Sequence, residues 1–223
     1  ALKLYKKLIK KKGSTALHFK MSGNTYSVMG EREKAIKIYK EGLEKYPNAG
    51  NLYLELGIVE LYADNYSEAV SYWEKGIEVD PEHPSNYYWA AKIYASSTEK
   101  IWALLYGELF MNLEPMTARS EEISALLYET SGNIYEVQSD TSGKFSLTER
   151  GFEIDASQLI TATADADSGK LVKLLPFEGE YAMQFAIASA IYLEDSLSLD
   201  MIHKVRTQFY ESWFDEKAKS QEK

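Results

Sequence analysis

The chain has 223 residues, of which 45% are hydrophobic, and a formal charge of −9 from 25 Lys and Arg against 34 Asp and Glu. A net acidic surface disfavours nucleic acid as the main partner, because phosphate binding needs a positive field. The absence of cysteine excludes disulfide scaffolds, cysteine-ligated zinc sites and cysteine nucleophiles. No apolar run is long enough to span a bilayer, so we expect a soluble protein without membrane insertion, with the cytoplasm favoured over the periplasm.

A period of 34 residues runs through the first half of the chain. It shows in columns of similar residues that recur at this spacing: alanines, aromatics, small residues and prolines. The members are Ala1, Ala35, Ala69 and Ala103; Tyr5, Tyr39 and Trp73; Phe19, Tyr53 and Tyr87; Gly23, Gly57 and Ala91; Gly42 and Gly76; and Pro47, Pro81 and Pro115. Three copies in register indicate a true repeat architecture.

The second copy has the spacing of a helical hairpin. Tyr53 and Gly57 are four residues apart and share one face of a first helix, while Ala69 and Trp73 share one face of a second. The small residues permit close approach of the two helices, and the aromatic rings fill the space beside them. Pro81 lacks the amide hydrogen needed to continue a helix, so it ends the second helix.

This pattern resembles the tetratricopeptide repeat, in which an aromatic, a Leu-Gly pair, a Tyr, an Ala, an aromatic and a Pro follow in order. Residues 50–83 match it best, with Tyr53, Leu56, Gly57, Ala69, Trp73, Gly76 and Pro81. The resemblance implies a bacterial-type repeat protein with a non-repeat C-terminal region. Its fold class would be all-α, a right-handed superhelical stack of antiparallel helix hairpins.

The repeat array is predicted to occupy residues 1–130. It divides into a partial repeat at 1–15, full repeats at about 16–49, 50–83 and 84–117, and an extra helix at 117–130. Because Ala1 already stands in the alanine column, we expect the chain to begin inside a repeat. The third repeat departs from the pattern, since Gly107 stands where an aromatic is expected and Phe110 where a small residue is.

The periodicity stops after residue 130. Residues 131–180 are predicted to form an inserted region with a small β-hairpin, because alternation at 134–139 and 144–149 flanks an Asp-Thr-Ser-Gly turn. A C-terminal helix pair at 181–217 is predicted to cap the array. Its last helix carries one apolar stripe, formed by Ile202, Val205, Phe209 and Trp213.

The sequence contains no convincing catalytic or metal-binding motif. The three histidines are scattered, the two Gly-Lys pairs lack the rest of a phosphate-binding loop, and there is no nucleophile motif. Asp165, Asp167 and Gly169 resemble a calcium loop, but Pro176 stands where the bidentate glutamate is needed. We therefore expect no enzyme activity, no cofactor and no metal.

The family resemblance also implies a concave groove lined by the first helix of each repeat. Transferred to this chain, the peptide-binding groove would consist of Lys20, Asn24, Leu54, Ile58, Leu61, Tyr62, Tyr88, Trp89 and Lys92. Leu54, Ile58 and Leu61 form an apolar stripe on the side of their helix away from Tyr53. Either a partner peptide or another part of this chain is expected to cover that stripe.

A specific ligand of the family can be tested against these positions. Chaperone-binding members grip a terminal carboxylate with Lys and Asn in one helix, followed by further Asn, Lys and Arg positions. Lys20 and Asn24 match, but Glu55, Ser85 and Trp89 occupy the remaining positions. Because Glu55 would repel a carboxylate, we exclude a chaperone C-terminus as the ligand.

The leading hypothesis is a non-enzymatic interaction module, or scaffold, that binds a peptide segment of a protein partner in the groove. One alternative is a structural protein that self-assembles into a homo-oligomer through its truncated first repeat. Another is that the groove is occupied by the protein's own C-terminal helix. The lysine-rich start, with Lys3, Lys6, Lys7, Lys10, Lys11 and Lys12, has the simpler interpretation of a solvated helix face.

Overall fold

The computed structural model describes residues 2–132, the strand residues 135–139, 142–145 and 152–155, and residues 204, 207 and 208. Eight helices occur in this described part: α1 (Leu2–Leu8), α2 (Ala16–Val28), α3 (Arg32–Lys45), α4 (Gly50–Leu61), α5 (Tyr66–Val79), α6 (Pro84–Ala95), α7 (Lys100–Leu113) and α8 (Ala118–Gly132). The predicted C-terminal helix pair at 181–217 lies outside the described residues except for these last three.

The chain divides into two compact units. The first comprises residues 1–93 and 105–123, and it holds every contact of the candidate site. The second begins with residues 94–104 and resumes at residue 124. The division into an array, an insertion and a cap stays a prediction.

The helices repeat at the predicted period. The first helices of the pairs, α2, α4, α6 and α8, begin at residues 16, 50, 84 and 118. The second helices, α3, α5 and α7, begin at residues 32, 66 and 100. Both series advance by 34 residues a step, which confirms the repeat and gives α8 the position of a fourth first helix.

The turns inside the first two hairpins share one backbone conformation. Gly30 has a φ of 73° and Asp64, one period later, has a φ of 58°. Both lie in the left-handed region, which glycine adopts without a Cβ penalty and which Asp tolerates better than most residues. Pro47 and Pro81 follow the ends of α3 and α5, in agreement with their predicted role.

The core of the first two hairpins places a glycine against a buried aromatic ring. A Cβ atom at Gly23 would lie 2.1 Å from Cε1 of Tyr39, and one at Gly57 would lie 2.1 Å from Nε1 of Trp73. Both rings are fully buried. No other residue leaves room for a ring this close to the helix backbone, so each glycine fixes the separation of its two helices.

The third hairpin reverses this arrangement. Ala91 takes the place of the first-helix glycine, and Gly107 takes the place of the ring. The ring appears instead at Phe110, which is fully buried and lies 5.4 Å from Tyr88, centroid to centroid. The predicted exchange of sizes therefore moves the aromatic bulk about one turn along α7, from position 107 to position 110.

Three short strands follow the helices: β1 (Tyr135–Ser139), β2 (Ser142–Phe145) and β3 (Phe152–Asp155). They form an antiparallel sheet in the order β1-β2-β3. β2 begins two residues before the predicted position, because Ser139 pairs with Ser142 and only two residues connect the strands. A bulge between Val137 and Ser139 shifts the register, and β3 was not predicted.

Candidate peptide-binding site

The candidate site lies on the first helices, whose side chains come into register every 34 residues. The ammonium of Lys20 on α2 lies 3.3 Å from Oε1 of Glu55 on α4. The hydroxyl of Tyr88 on α6 donates to Oε2 of Glu122 on α8 at 2.5 Å. Neighbouring first helices are therefore joined directly through their polar side chains.

An aromatic cluster occupies the middle of this surface. Trp89 stacks on Trp73 at a centroid distance of 6.0 Å and an interplanar angle of 22°. It also meets Tyr88 edge to face at 5.3 Å and 82°. Trp73 is fully buried, and its Nε1 donates to the carbonyl of Leu54 at 3.2 Å. Trp89 remains half-buried, so it is the accessible end of a rigid stack.

A charged network borders the cluster at Lys92. Its ammonium lies 5.0 Å from the Tyr88 ring centroid and 5.3 Å from that of Trp89. It also pairs with Oε1 of Glu122 at 2.5 Å and donates to the Tyr88 hydroxyl at 3.2 Å. Hydrogen bonds from Lys92 and Tyr88 hold the pKa of Glu122 below its ordinary value. Burial and the bond to Glu122 raise the pKa of the Tyr88 hydroxyl.

Arg119, on α8, completes the network from the opposite side. Its Nη1 donates to Oγ of Ser85 at 3.0 Å, and its guanidinium pairs with Glu114. The guanidinium carbon lies 5.1 Å from the Tyr88 ring centroid and 5.4 Å from that of Phe110. Sequence reasoning missed Arg119 because it treated α8 as an extra helix; the 34-residue step from Ser85 would have found it.

The cations of this surface all have carboxylate partners. Lys20 pairs with Glu55, Lys92 with Glu122, and Arg119 with Glu114. A ligand carboxylate would have to displace one of these partners, and their negative charges oppose its approach. The surface is therefore balanced in charge and suits a ligand that is not strongly anionic.

The nine predicted groove residues differ in how far their side chains are exposed to solvent. Leu54 and Tyr88 are each only 7% exposed, so they form the floor. The half-buried members are Lys20, Asn24, Ile58, Leu61, Trp89 and Lys92. Tyr62 is 83% exposed, at the C-terminal end of α4. Asn24 has an internal partner, since its Oδ1 accepts a hydrogen bond from Tyr39 at 2.7 Å.

The second apolar stripe of α4 is covered in part by the array itself. Besides Leu54, the helix buries Leu52, Leu56 and Val59, which stand at i, i+4 and i+7 and so share one face, while Leu54 lies on the opposite face. A helix that packs against neighbours on several sides is apolar on several faces. The stripe is thus explained largely by the central position of α4, and only Ile58 and Leu61 remain partly open to a partner.

The chain resembles one curated protein over part of its length. It is 30% identical over 83 residues to "Small glutamine-rich tetratricopeptide repeat-containing protein 2" of Mycosarcoma maydis. The match covers 37% of this chain but only 24% of the relative, about a quarter of that protein. Together with the helix pairs at 34-residue steps, this match decides the nature of the array. The helical array is built from tetratricopeptide repeats.

Solved structures give fold likenesses only. A tetratricopeptide repeat protein from Parabacteroides merdae is 14% identical, with 97% of this chain and 79% of that one covered and a TM-score of 0.49. The TPR2B domain of yeast Sti1, solved with an Hsp70 peptide, is 21% identical, with 53% and 97% covered and a TM-score of 0.47. No family model matches the chain.

Among the residues that the structure describes, no helix is both long and apolar enough to cross a membrane. The His, Asp and Glu residues of that part of the chain form no group of three that could hold a metal ion.

Proposed function

We propose that the tetratricopeptide array is a non-enzymatic interaction module that binds a peptide segment of another protein along its first helices. The observation that carries the proposal is the stack of Trp89 on the buried ring of Trp73. A partly exposed tryptophan that is already held by a second ring loses little side-chain entropy on binding. Such rigid aromatics are typical anchors of protein interfaces.

The chemistry around the anchor suggests the kind of peptide. Ile58 and Leu61 offer partly open apolar surface on α4. The ion pairs of Lys20 and Lys92 lie on the same series of helices and form a polar rim. A peptide with an apolar or aromatic residue for Trp89, flanked by neutral polar residues, fits this arrangement. A segment that ends in clustered carboxylates does not.

Peptides selected from a random display library on the wild-type protein provide the test. Trp89→Ala is expected to lower the affinity for the selected peptides by about thirtyfold, the size of an interface hot spot. Ile58→Glu should lower the affinity by a similar factor, because a carboxylate would be placed against the apolar part of the peptide. Tyr66→Ala is the matched control, since this tyrosine is exposed on α5, outside the predicted groove.

The proposal would be wrong if the selected peptides bound both groove variants as tightly as the wild type while circular dichroism showed unchanged helix content. Equal losses in the Tyr66→Ala control would also contradict it. The two alternatives stay predictions. Light scattering across a concentration series tests self-assembly, and deletion of residues 197–223 tests whether the C-terminal helix occupies the groove, because peptide affinity would then rise.

A further inference from the structure

The first helix of the chain has an unusual charge distribution. Seven lysines and no carboxylate precede Glu31, so the first 30 residues carry +7 and, with −9 for the whole chain, the remainder carries −16. Six of these lysines lie on α1 and the turn after it, and all six are exposed: Lys3, Lys6, Lys7, Lys10, Lys11 and Lys12. We call this group the lysine face.

The lysine face follows the helical period. Lys3, Lys6 and Lys7 stand at i, i+3 and i+4 of α1, which places them on one side of the helix, and Lys10 follows in the turn after it. Ile9, in that same turn, is only 6% exposed and belongs to the core around α2 and α3. The buried Ile9 anchors this segment, while the lysines around it are exposed to solvent.

Repulsion within the lysine face makes it costly as a purely structural feature. Lysines four residues apart repel one another and destabilise a helix, and α1 has only seven residues to resist this. Within the described part of the chain, none of the six lysines forms an ion pair. Lys6 has an aromatic partner instead, with its ammonium 5.2 Å from the Tyr26 ring centroid.

The equivalent helix of the next repeat shows what an ordinary solvated face looks like here. On α3, Lys34, Lys37 and Lys40 alternate with Glu33 and with acids in the later turns. Lys34, for example, pairs with Glu31 at 2.8 Å. The same position in the repeat thus carries both signs of charge on α3 and only positive charge on α1.

We propose that the lysine face docks the protein on an anionic phospholipid surface. Clusters of four to eight cationic residues on a helix are typical of attraction to anionic headgroups. The face contains lysine and no arginine, which suits a diffuse charged surface better than the paired phosphate contacts of nucleic acid. Leu4, 60% exposed beside the lysines, supplies an apolar side chain at the same surface.

The acidic remainder of the chain favours one orientation on such a surface. Residues after position 30 carry −16 and are repelled by anionic lipid, while the lysine face is attracted. The molecule would therefore meet the membrane with α1 first. The attraction is expected to weaken as salt rises, because exposed charges are screened.

Flotation with phospholipid vesicles tests the proposal on the full chain. Wild-type protein is expected to bind vesicles rich in phosphatidylserine at low salt and not vesicles of pure phosphatidylcholine. In the triple variant Lys3→Gln, Lys7→Gln, Lys10→Gln the partition coefficient for these vesicles should fall about 100-fold, because each lysine contributes about fivefold. Glutamine has nearly the helix propensity of lysine, so α1 should persist.

Two controls separate position from total charge. The first control is the triple variant Lys34→Gln, Lys37→Gln, Lys75→Gln, which changes the net charge by the same amount. Its partition coefficient should stay within about threefold of the wild-type value. Lys3→Arg, Lys7→Arg, Lys10→Arg keeps the charge and should retain binding. Equal losses in the two glutamine variants, or no wild-type binding to phosphatidylserine at low salt, would overturn the proposal. So would duplex RNA that displaces the protein from vesicles at matched phosphate concentration, since nucleic acid would then be the preferred partner.

Discussion

At Gly57 the packing of α4 against α5 depends on the absence of a single side-chain carbon. A Cβ there would lie 2.1 Å from Nε1 of Trp73, far inside contact distance, and the indole is fully buried. The indole is also held by its hydrogen bond to the carbonyl of Leu54. One glycine thus positions the ring against which Trp89 stacks.

Gly57→Ala is therefore expected to lower the free energy of unfolding by about 1–3 kcal/mol, the usual cost of overpacking a core. Urea denaturation followed by circular dichroism measures the change. Ser71→Ala, at an exposed position of α5, is the control and should stay within about 0.5 kcal/mol. A Gly57→Ala protein as stable as the wild type would show that the indole can move aside.

Single residues were predictable where the repeat period identified them. Gly57 and Trp73 followed from their columns, because a ring and a glycine recur at fixed steps. Arg119 and Glu122 were not found, because α8 was predicted as an extra helix and the 34-residue step was not continued into it. Their roles arise from contacts across helices 34 residues apart, to Ser85 and Tyr88.

At the scale of the element, α8 is held to α6 through polar side chains, with Glu122 bonded to Tyr88 and Lys92 and with Arg119 beside them. Arg119 contacts the faces of Tyr88 and Phe110 and hydrogen-bonds to Ser85, while Glu114 neutralises it. Guanidinium is planar and weakly hydrated, so it can stack on rings and donate in plane at the same time. A lysine ammonium can do only part of this.

Arg119→Ala should accordingly lower the free energy of unfolding by about 1–2 kcal/mol, from the lost ring contacts and hydrogen bonds. Arg119→Lys should recover less than half of that loss. Chemical denaturation of both variants gives the measurement, with Glu121→Ala on the exposed side of α8 as the neutral control. Full recovery by lysine would mean that charge alone matters at this position.

The elements themselves were largely predictable, and the exceptions have physical causes. Helix starts followed from the period, because each repeat must bury the same faces against its neighbours. The sequence left open whether a partner or this chain covers the apolar stripe on α4, because sequence alone does not show how many neighbours a helix has. In the structure, Leu54 of that stripe is buried within the array. The start of β2 was missed because the pairing of Ser139 with Ser142 depends on a bulge.

At the scale of the molecule, stability should vary along the array. The central helices α4 and α5 contain fully buried residues, among them Leu52, Leu56 and Trp73, whereas Ile9 is the one buried residue described before α2. Repeats are stabilised mainly by their immediate neighbours, so an element with fewer contacts opens more readily.

Amide hydrogen exchange is expected to be slowest in α4 and α5 and at least about tenfold faster in α1. Mass spectrometry of peptic fragments resolves these helices. Addition of phosphatidylserine vesicles should slow exchange in α1 selectively if the lysine face binds them. Uniform protection from α1 to α5 without vesicles would instead indicate that this part of the array unfolds as one cooperative unit.

The reversed hairpin of α6 and α7 limits how this array could be lengthened by recombination. A chimera that joined α6 to a copy of α5 would set an indole against the methyl group of Ala91, where the native chain has Gly107. The reverse chimera, α4 joined to a copy of α7, would leave the space beside Gly57 empty. Whole hairpins can therefore be duplicated as units, but single helices from different hairpins are not interchangeable parts.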